Sequence, residues 1–248
     1  MPIGENRHMP ISSDTLVFSV ALNHYDRIYD RNIASHRLYA ARHGYDYVCV
    51  SRPAWTTVTE AVWLKIELLR SSLAKGYRWI LFVDADCELR AAAPKVESVS
   101  KPDKAVYLAV GFSGNVNSGV IIARNDPAAV EFFDAVLEVS SRAVPEMDWG
   151  ENGHVIHVAR RSETVDHLDR RWNNNADPTL EDFVRHYSAG GPMRPLYCMG
   201  LTARAVQLAV RVRLKLLKVA GQHQVARAAL PNRLSALGDR CRRLYPQL

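Results

Sequence analysis

The sequence predicts an α/β fold in which helices cover both faces of a mostly parallel sheet. Apolar, strand-like segments alternate with amphipathic, helix-like segments through the first half of the chain. Residues 79–83 (WILFV) have no polar face, which is typical of a central strand that is covered on both sides. With 248 residues, of which 48% are hydrophobic, the chain is long enough to bury one substantial core.

Five segments have the length and apolar character of strands. They are residues 16–22, 45–51, 79–83, 107–112 and 118–123. A first helix is predicted over residues 32–43, with Asn32 as its N-terminal cap and Gly44 just past its end. A third helix is predicted to begin at Asp126-Pro127, because proline is favoured at the first helical position. Residues 145–200 are predicted to be irregular.

The second helix is predicted after residue 57. Thr57 is followed three residues later by Glu60, which is the capping-box pattern. Its buried face is predicted from apolar residues that recur at three- and four-residue intervals: Val62, Ile66, Leu69 and Leu73. Lys65 flanks this stripe.

The last 48 residues differ in charge from the rest of the chain. Residues 201–248 contain ten basic side chains and one acid, Asp239. Taking these from the totals of 32 and 26 leaves 22 basic and 25 acidic groups before residue 201. We therefore predict a main domain over 1–200 and a basic helical extension over 201–248, and this asymmetry argues against a whole-domain nucleic-acid binder.

The extension has an apolar stripe at helical spacing. Its members are Leu201, Ala205, Leu208, Val212, Leu216 and Val219. Basic residues flank one edge of the stripe: Arg204, Arg211, Lys215 and Lys218. Two interpretations are open, since such a helix either lies on an anionic membrane surface or packs its stripe on the domain.

The remaining sequence features predict a cytoplasmic protein, either free or at the inner face of the membrane. No segment approaches the roughly 18 uncharged apolar residues of a membrane span. The N-terminus has no apolar signal region. The four cysteines are far apart and form no metal-spaced pair, which favours reduced thiols.

The sharpest candidate for chemistry is the sequence Asp84-Ala85-Asp86, directly after the buried strand. Ligands of such sheets bind beyond the carboxyl ends of the strands. Asp84 and Asp86 can face the same space, and like charges placed together repel unless a cation lies between them. Mg²⁺ and Mn²⁺ prefer oxygen ligands and can bridge to phosphates. The alternative is a pair of solvated turn carboxylates.

A second candidate lies in residues 185–191 (RHYSAGG). The neutral imidazole of His186 can serve as a metal ligand. Gly190 and Gly191 allow the backbone to approach a phosphate closely. In isolation, His186 would be an ordinary histidine.

These segments together resemble a glycosyltransferase of the GT-A fold. The chain is similar to bacterial galactosyl- and glucosyltransferases and to galactomannan/xyloglucan-type transferases, which retain anomeric configuration. The similarity covers about residues 15–191, and its elements follow in one order: AVWLKIELL (61–69), Asp84-Ala85-Asp86, NVNSGVIIAR (115–124) and HYSAGG (186–191).

The resemblance implies roles for several of these residues. Mn²⁺ or Mg²⁺ would be held by Asp84, Asp86 and His186, and the ion would grip the diphosphate of the donor. The donor sugar would be lined by Asn117, Ser118 and Gly119. Lys65 lies where such families place a cation against the diphosphate, with a solvated helix lysine as the alternative. The nucleotide base would lie near Asn23 and Tyr25, with a plain loop as the alternative.

The acceptor side is less regular. The resemblance places Glu151 and Asn152 where these families have an acidic or amide pair near the anomeric carbon, often Asp-Gln or Asp-Glu. The pair here is Glu-Asn, and Asp148 is a rival in the same segment. Trp172-Asn173 is similar to a Trp-Asn pair that precedes the histidine in these families.

The predicted function is transfer of a hexose or pentose from a nucleotide-sugar, with UDP favoured by the resemblance, to a glycan, lipid or small-molecule acceptor. Two alternatives remain. A haloacid-dehalogenase-like phosphohydrolase would use Asp84 as nucleophile and Asp86 as acid/base, although that motif usually lies near the N-terminus. A non-catalytic protein of the same fold would bind a nucleotide or glycan.

Overall fold

The computed structural model describes residues 13–219 and 226–248. Six strands form the central sheet: β1 (Thr15–Val20), β2 (Asp46–Val50), β3 (Trp79–Val83), β5 (Val106–Val110), β6 (Val116–Arg124) and β7 (Val165–Leu168). A small second sheet pairs β4 (Cys87–Leu89) with β8 (Val184–His186). The helices are α1 (Tyr25–Ile28), α2 (Asp30–His43), α3 (Val58–Leu73), α4 (Pro127–Glu138), α5 (Glu151–Ala159), α6 (Leu201–Val219) and α7 (Leu230–Leu244).

The central sheet has the strand order β2-β1-β3-β6-β5-β7. Its neighbouring strands are parallel except for β6, which runs antiparallel to both β3 and β5. This confirms the predicted α/β class with a mostly parallel sheet.

Alternate residues of β3 enter two different cores, one on each face of the sheet. Ile80 and Phe82 belong to the core that also contains α3, α4 and α7. Leu81 and Val83 belong to the core on the other face, where α2 contributes Tyr39. Each such fully buried side chain contributes about 1.5–3 kcal/mol to stability. Burial on both faces is why this strand carries no polar residue.

Two predicted helix starts are confirmed by their caps. Thr57 and Glu60 form the reciprocal capping box at the start of α3. The Asp126 side chain accepts from the Ala128 amide at the start of α4, with Pro127 in the first turn. A third start differs, because α2 begins at Asp30 rather than after Asn32. Asn32 lies inside the helix and makes a tertiary contact that is described below.

The predicted buried stripe of α3 is right at three positions and wrong at one. Ile66, Leu69 and Leu73 are buried, whereas Val62 is 42% exposed. Val62 lies on the part of the helix that opens onto a cavity. Lys65, predicted to flank the stripe, is itself only 4% exposed.

The segment 145–200 is more regular than predicted. It contains α5, β7 and β8, the last two only four and three residues long. Strands this short carry too few residues for a clear alternation of polar and apolar positions. β7 completes one edge of the central sheet, and β8 brings residue 186 beside β4.

The two C-terminal helices contact the domain in different ways. α7 places Leu234 and Cys241 in the same core as Phe18 of β1, so the segment after residue 200 shares the core of the main domain. α6 packs through Val206, Val210 and Leu214. The division at residue 200 remains a prediction about sequence organisation.

The stripe that was predicted on α6 does not pack on the domain. All six of its members, from Leu201 to Val219, are exposed. The face that packs on the domain lies on the opposite side of the helix. The interpretation in which this stripe packs on the domain is therefore wrong. In the described part of the chain, no helix is long and apolar enough to cross a bilayer.

Candidate functional site

The Asp84–Asp86 turn lies at the carboxyl end of β3 and is held from two sides. On one side, the amide of Asp84 donates to the Gly119 carbonyl of β6 at 2.8 Å. On the other side, α2 reaches the turn through Asn32, whose Nδ2 donates to the Ala85 carbonyl at 3.2 Å. His36, one turn further along α2, bonds the Cys87 carbonyl through Nε2 at 2.8 Å. The two carboxylates therefore leave a rigid backbone.

Asp84 is paired with a buried lysine. The Nζ atom of Lys65 lies 3.5 Å from Oδ2 of Asp84 and 3.1 Å from Oε2 of Glu151. It also donates to the Ser118 carbonyl at 3.2 Å and to the Ser118 hydroxyl at 3.1 Å. Burial alone would lower the pKa of Lys65, but Asp84 and Glu151 outweigh burial and raise it. Lys65 is thus a fixed positive charge, and the interpretation as a solvated lysine is wrong.

Glu151 and Asn152 fasten the start of α5 to β6. Burial raises the pKa of Glu151 to about 7, and its Oε1 atom has no hydrogen-bond partner among the described residues. The Asn152 side chain accepts from the Ser118 amide at 2.8 Å and donates to the Val116 carbonyl at 3.4 Å. Asp148 lies exposed in a short 3-10 turn ahead of them.

The second carboxylate faces the late histidine. Nε2 of His186 lies 3.3 Å from Oδ1 of Asp86, and both side chains are largely buried. Nδ1 of His186 lies 2.8 Å from Oδ1 of Asn173. The Asn173 amide group donates to the Asn117 carbonyl and to its side-chain oxygen, at 3.0 and 2.9 Å. Asn117 in turn accepts from the Gly119 amide at 2.9 Å.

This chain of hydrogen bonds sets the tautomer of His186. Because the Nδ2 atom of Asn173 donates to Asn117, its Oδ1 atom must accept, so Nδ1 of His186 carries the proton. In the neutral ring, Nε2 then directs a lone pair towards the Asp86 carboxylate. Two electron-rich atoms at this distance fit a cation held between them, and a hydrogen bond at the other ring nitrogen is typical of a metal-ligating histidine.

The side chains near Asp86 differ in how well they could hold that ion. Ligand atoms of Asp86, Cys87 and His186 lie within 4.8 Å of one another. Mg²⁺ and Mn²⁺ prefer oxygen ligands over the soft sulfur of a thiol, so Cys87 is a poor ligand for such an ion. Asp84, a predicted ligand, is not in this group and faces Lys65 instead. Asp86 and His186 are the pair that fits a divalent ion.

A cavity of about 310 Å³ adjoins this pair. It is lined by the predicted residues Asn23, Tyr25, Lys65, Asp84, Ala85 and Asp86. The Asn23 side chain also accepts from the Thr56 amide at 2.9 Å, which fixes the loop after β1. The predicted sugar-lining segment, residues 117–119, lies behind Lys65 and His186 rather than on the wall of the cavity described here. Of the late loop, Ala189 reaches the cavity, directly before Gly190 and Gly191.

Arg194 is a cavity residue that sequence reasoning missed. Its Nη1 atom lies 3.7 Å from Oδ2 of Asp86 and donates to the Tyr187 carbonyl at 3.0 Å. Its guanidinium lies over the ring of Tyr29, 5.2 Å from the centroid. Burial would raise the pKa of Asp86, but the positive charges of His186, when its ring is protonated, and of Arg194 outweigh burial and lower it. The only signal in the sequence was a lone arginine shortly after the glycine pair.

Gly119 has a steric reason to lack a side chain. A Cβ atom at this position would lie 2.4 Å from Cε1 and 2.7 Å from Nδ1 of His186. The imidazole therefore rests against the bare backbone of β6. This contact explains why a glycine follows Asn117 and Ser118 in the strand.

The architecture is shared with solved glycosyltransferases. A glycosyltransferase involved in the glycosylation of the major capsid of PBCV-1 has a TM-score of 0.55 and 15% sequence identity, over 74% of this chain and 98% of that chain. The apo-form glycosyltransferase GlyE of Streptococcus pneumoniae TIGR4 has a TM-score of 0.50 and 11% identity, over 91% of this chain and 63% of that chain. No protein-family model matches the sequence, and no curated protein matches it significantly.

At these identities the likeness is one of fold. The chain forms a single GT-A-like domain, with the antiparallel strand β6 inside an otherwise parallel sheet. The carboxylate turn, the late histidine and the cavity lie together at the carboxyl end of β3, where ligands of such sheets bind.

Proposed function

We propose that this protein transfers a sugar from a nucleotide-sugar donor, with a UDP-sugar favoured, to an acceptor, and that it depends on a divalent metal ion. The observation that carries the proposal is the contact between Asp86 and His186. It places a carboxylate and an imidazole lone pair beside a cavity that also contains the cations Lys65 and Arg194. Such a set of charges suits a diphosphate bound with its metal.

The residues of this chain would act on the donor in four ways. Asp86 and His186 would hold Mn²⁺ or Mg²⁺, with Asp84 beside them. When bound, the ion would neutralise the charge that builds up on the leaving diphosphate. Arg194 would contribute a second positive charge from the cavity wall. Burial raises the pKa of Asp84, and Lys65 would oppose that rise and orient the carboxylate. Asn23 and Tyr25 would contact the base.

Glu151, Asn152 and the strand segment 117–119 would position the transferred sugar indirectly. Their side chains are committed to Lys65 and to the backbone of β6, and the segment carries the hydrogen bonds that orient His186. Retention of anomeric configuration, with front-face attack assisted by the leaving phosphate, is part of the proposal. This part of the proposal rests on the family resemblance. Glu151 is held by Lys65 and Ser118, so its carboxylate is not free to act as a covalent nucleophile.

A thermal-shift panel tests the donor and the metal together, because a ligand that binds only the folded state raises its stability. UDP with Mn²⁺ should raise the melting temperature more than UDP or Mn²⁺ alone. In Asp86→Asn the metal-dependent part of the shift should disappear, while the shift with UDP alone persists. An undiminished metal-dependent shift in Asp86→Asn would remove Asp86 from the ion site.

We also propose that α6 lies on an anionic membrane surface. Its exposed stripe includes Leu208 and Leu216, each 64% exposed. The neighbouring cations are exposed as well, and α6 contains no acidic residue. An apolar stripe edged by cations complements anionic lipid. The acceptor would then be a glycan, lipid or small molecule at this surface.

The phosphohydrolase alternative is not favoured. The comparable folds are glycosyltransferases, and Asp84, its required nucleophile, is paired with Lys65 at 3.5 Å. Turnover of a simple phosphate monoester that is lost in Asp84→Asn would restore this alternative. A non-catalytic binding protein of the same fold is separated by a donor-hydrolysis assay, because it would bind UDP with Mn²⁺ and yet release no sugar.

A further inference from the structure

A second cavity, larger than the one at the carboxylate turn, lies between the start of α3, α6 and α7. Its volume is about 940 Å³. We refer to it as the α6–α7 groove. Its apolar wall includes Trp55, Leu214 and Leu217. Its cationic residues are Arg213, Lys215, Lys218, Arg233 and Arg240.

The charges of the groove are not balanced. Among the described residues that line it, Glu60 is the one acid, and Glu60 is already bonded to Arg233 at 2.7 Å and to the capping threonines. Arg213 stacks on the Trp55 ring at 4.1 Å. Besides this stacked arginine, three more exposed cations, Lys215, Lys218 and Arg240, have no carboxylate partner among the described residues.

The start of α3 adds to this positive field. The first turn of a helix carries partial positive charge, and Thr57, Val58 and Thr59 line the groove. Such a field complements a phosphate group, which accepts charge-assisted hydrogen bonds from lysine and arginine.

The apolar wall specifies the rest of the ligand. Leu214 and Leu217 are half-buried and face the groove together with Trp55, and an inorganic anion would leave this surface uncovered. The volume is at the upper end of the roughly 300–1,000 Å³ of small-molecule sites. A ligand with both a phosphate and a hydrocarbon chain would satisfy the cations and the apolar wall at the same time.

We propose that the α6–α7 groove binds a phosphate-bearing amphiphile, an anionic lipid whose phosphate contacts Lys215, Lys218 and Arg240 and whose chain lies on Leu214 and Leu217. Val58 and Leu214 line both this groove and the cavity beside Asp84, so the lipid would lie next to that cavity. The proposal stands on the geometry of the groove and does not require glycosyl transfer.

The test uses the full chain and monomeric octyl phosphate, below its micelle concentration, in isothermal titration calorimetry. Octyl glucoside keeps the chain without the charge, and inorganic phosphate keeps the charge without the chain. Octyl phosphate should bind at least about tenfold more tightly than either, because only it meets both parts of the groove. Equal affinity for octyl glucoside, or equal affinity for inorganic phosphate, would overturn the proposal.

A matched pair of double variants separates the groove from general electrostatics. Lys215→Gln/Lys218→Gln should weaken octyl phosphate binding about tenfold, the loss expected from removing charged hydrogen-bond partners. Arg204→Gln/Arg211→Gln removes the same charge from the same helix outside the groove and should leave binding unchanged. An equal loss in both pairs would show attraction to the basic tail as a whole and would overturn the site.

A third variant tests the hydrocarbon part. Leu217→Gln should reduce the affinity for octyl phosphate and leave the weak binding of inorganic phosphate unaltered. A melting temperature and a UDP–Mn²⁺ shift like those of the parent would show that each variant is folded. Unchanged octyl phosphate binding in folded Leu217→Gln would contradict the placement of the chain.

Discussion

Nε2 of His186 lies 3.3 Å from Oδ1 of Asp86, although a hundred residues separate them in the chain. β8 pairs with β4 in such a way that residue 186 is opposite residue 87. The small sheet therefore brings the late loop against the carboxylate turn. Oδ1 of Asn173 bonds the other ring nitrogen, Nδ1, at 2.8 Å and so fixes Nε2 as the nitrogen that meets Asp86.

His186→Ala should abolish most of the metal-dependent affinity for UDP. Loss of a group that only supports a metal ligand typically costs about 10- to 100-fold in metal affinity, and loss of the ligand itself should cost at least as much. Titration of UDP in the presence and absence of Mn²⁺ measures the effect. His167→Ala removes an exposed imidazole from β7 and serves as the control. If His186→Ala binds UDP with Mn²⁺ as the parent does, the histidine is not a ligand.

Gly119→Ala should resemble the loss of His186 without changing any polar group. The added methyl would lie 2.4 Å from the imidazole, so the ring must move away from Asp86. We expect Mn²⁺-dependent UDP affinity to fall by about tenfold or more, by loss of an oriented ligand. Gly200→Ala is the matched control, because a Cβ there would meet nothing within 4 Å. Parent-like affinity in Gly119→Ala would show that the contact with His186 is not needed.

The pH dependence of stability should report on His36. Burial lowers the pKa of His36 to about 4 from 6.5, and the ring bonds Ser19 and the Cys87 carbonyl. Its contribution is therefore complete above pH 6.5 and is lost as the pH falls towards 4, because the unfolded chain binds the proton first. Between pH 7 and pH 5 the parent should lose about 2 kcal/mol of unfolding free energy through this group.

Urea unfolding at the two pH values measures this loss. His36→Gln should be less stable than the parent at pH 7, and the difference between them should shrink by about 2 kcal/mol at pH 5, since glutamine does not titrate. A constant difference between parent and His36→Gln at both pH values would contradict a buried neutral histidine.

Substitutions on α6 test the proposed membrane surface better than truncation does. Removing residues 201–248 would also remove α7, which supplies Leu234 and Cys241 to the main core. Leu208→Glu/Leu216→Glu should instead abolish sedimentation with phosphatidylglycerol vesicles, because each glutamate opposes both burial and the anionic surface.

The control for that experiment is Leu38→Glu. Leu38 lies on α2 and is 66% exposed, close to the 64% of the two stripe residues. It should leave vesicle binding unchanged. Equal sedimentation of the α6 variant and the parent would mean that the exposed stripe does not meet a membrane.

Local features of the chain could be predicted from its sequence because neighbouring residues alone decide them. The capping box of Thr57 and Glu60 and the Asp126 cap involve groups within three residues of each other. The buried strand before Asp84 is recognisable because burial on both faces leaves no polar position. Pairing Asp86 with His186 as candidate ligands also needed the family resemblance, because nothing next to either residue in the sequence indicates the other.

Only the tertiary structure decided which side chains share a space. Asn32 looked like a cap, yet it bonds the Ala85 carbonyl from inside α2. From the sequence alone, Lys65 could be a surface lysine. In the structure it is enclosed by Asp84 and Glu151, which come from two distant elements. The periodicity of α6 predicted one apolar stripe, but the helix contacts the domain through another face, that of Val210. The physical reason is the same in each case: a contact between distant elements depends on how they pack, and spacing along one element carries no information about the neighbour that it will meet.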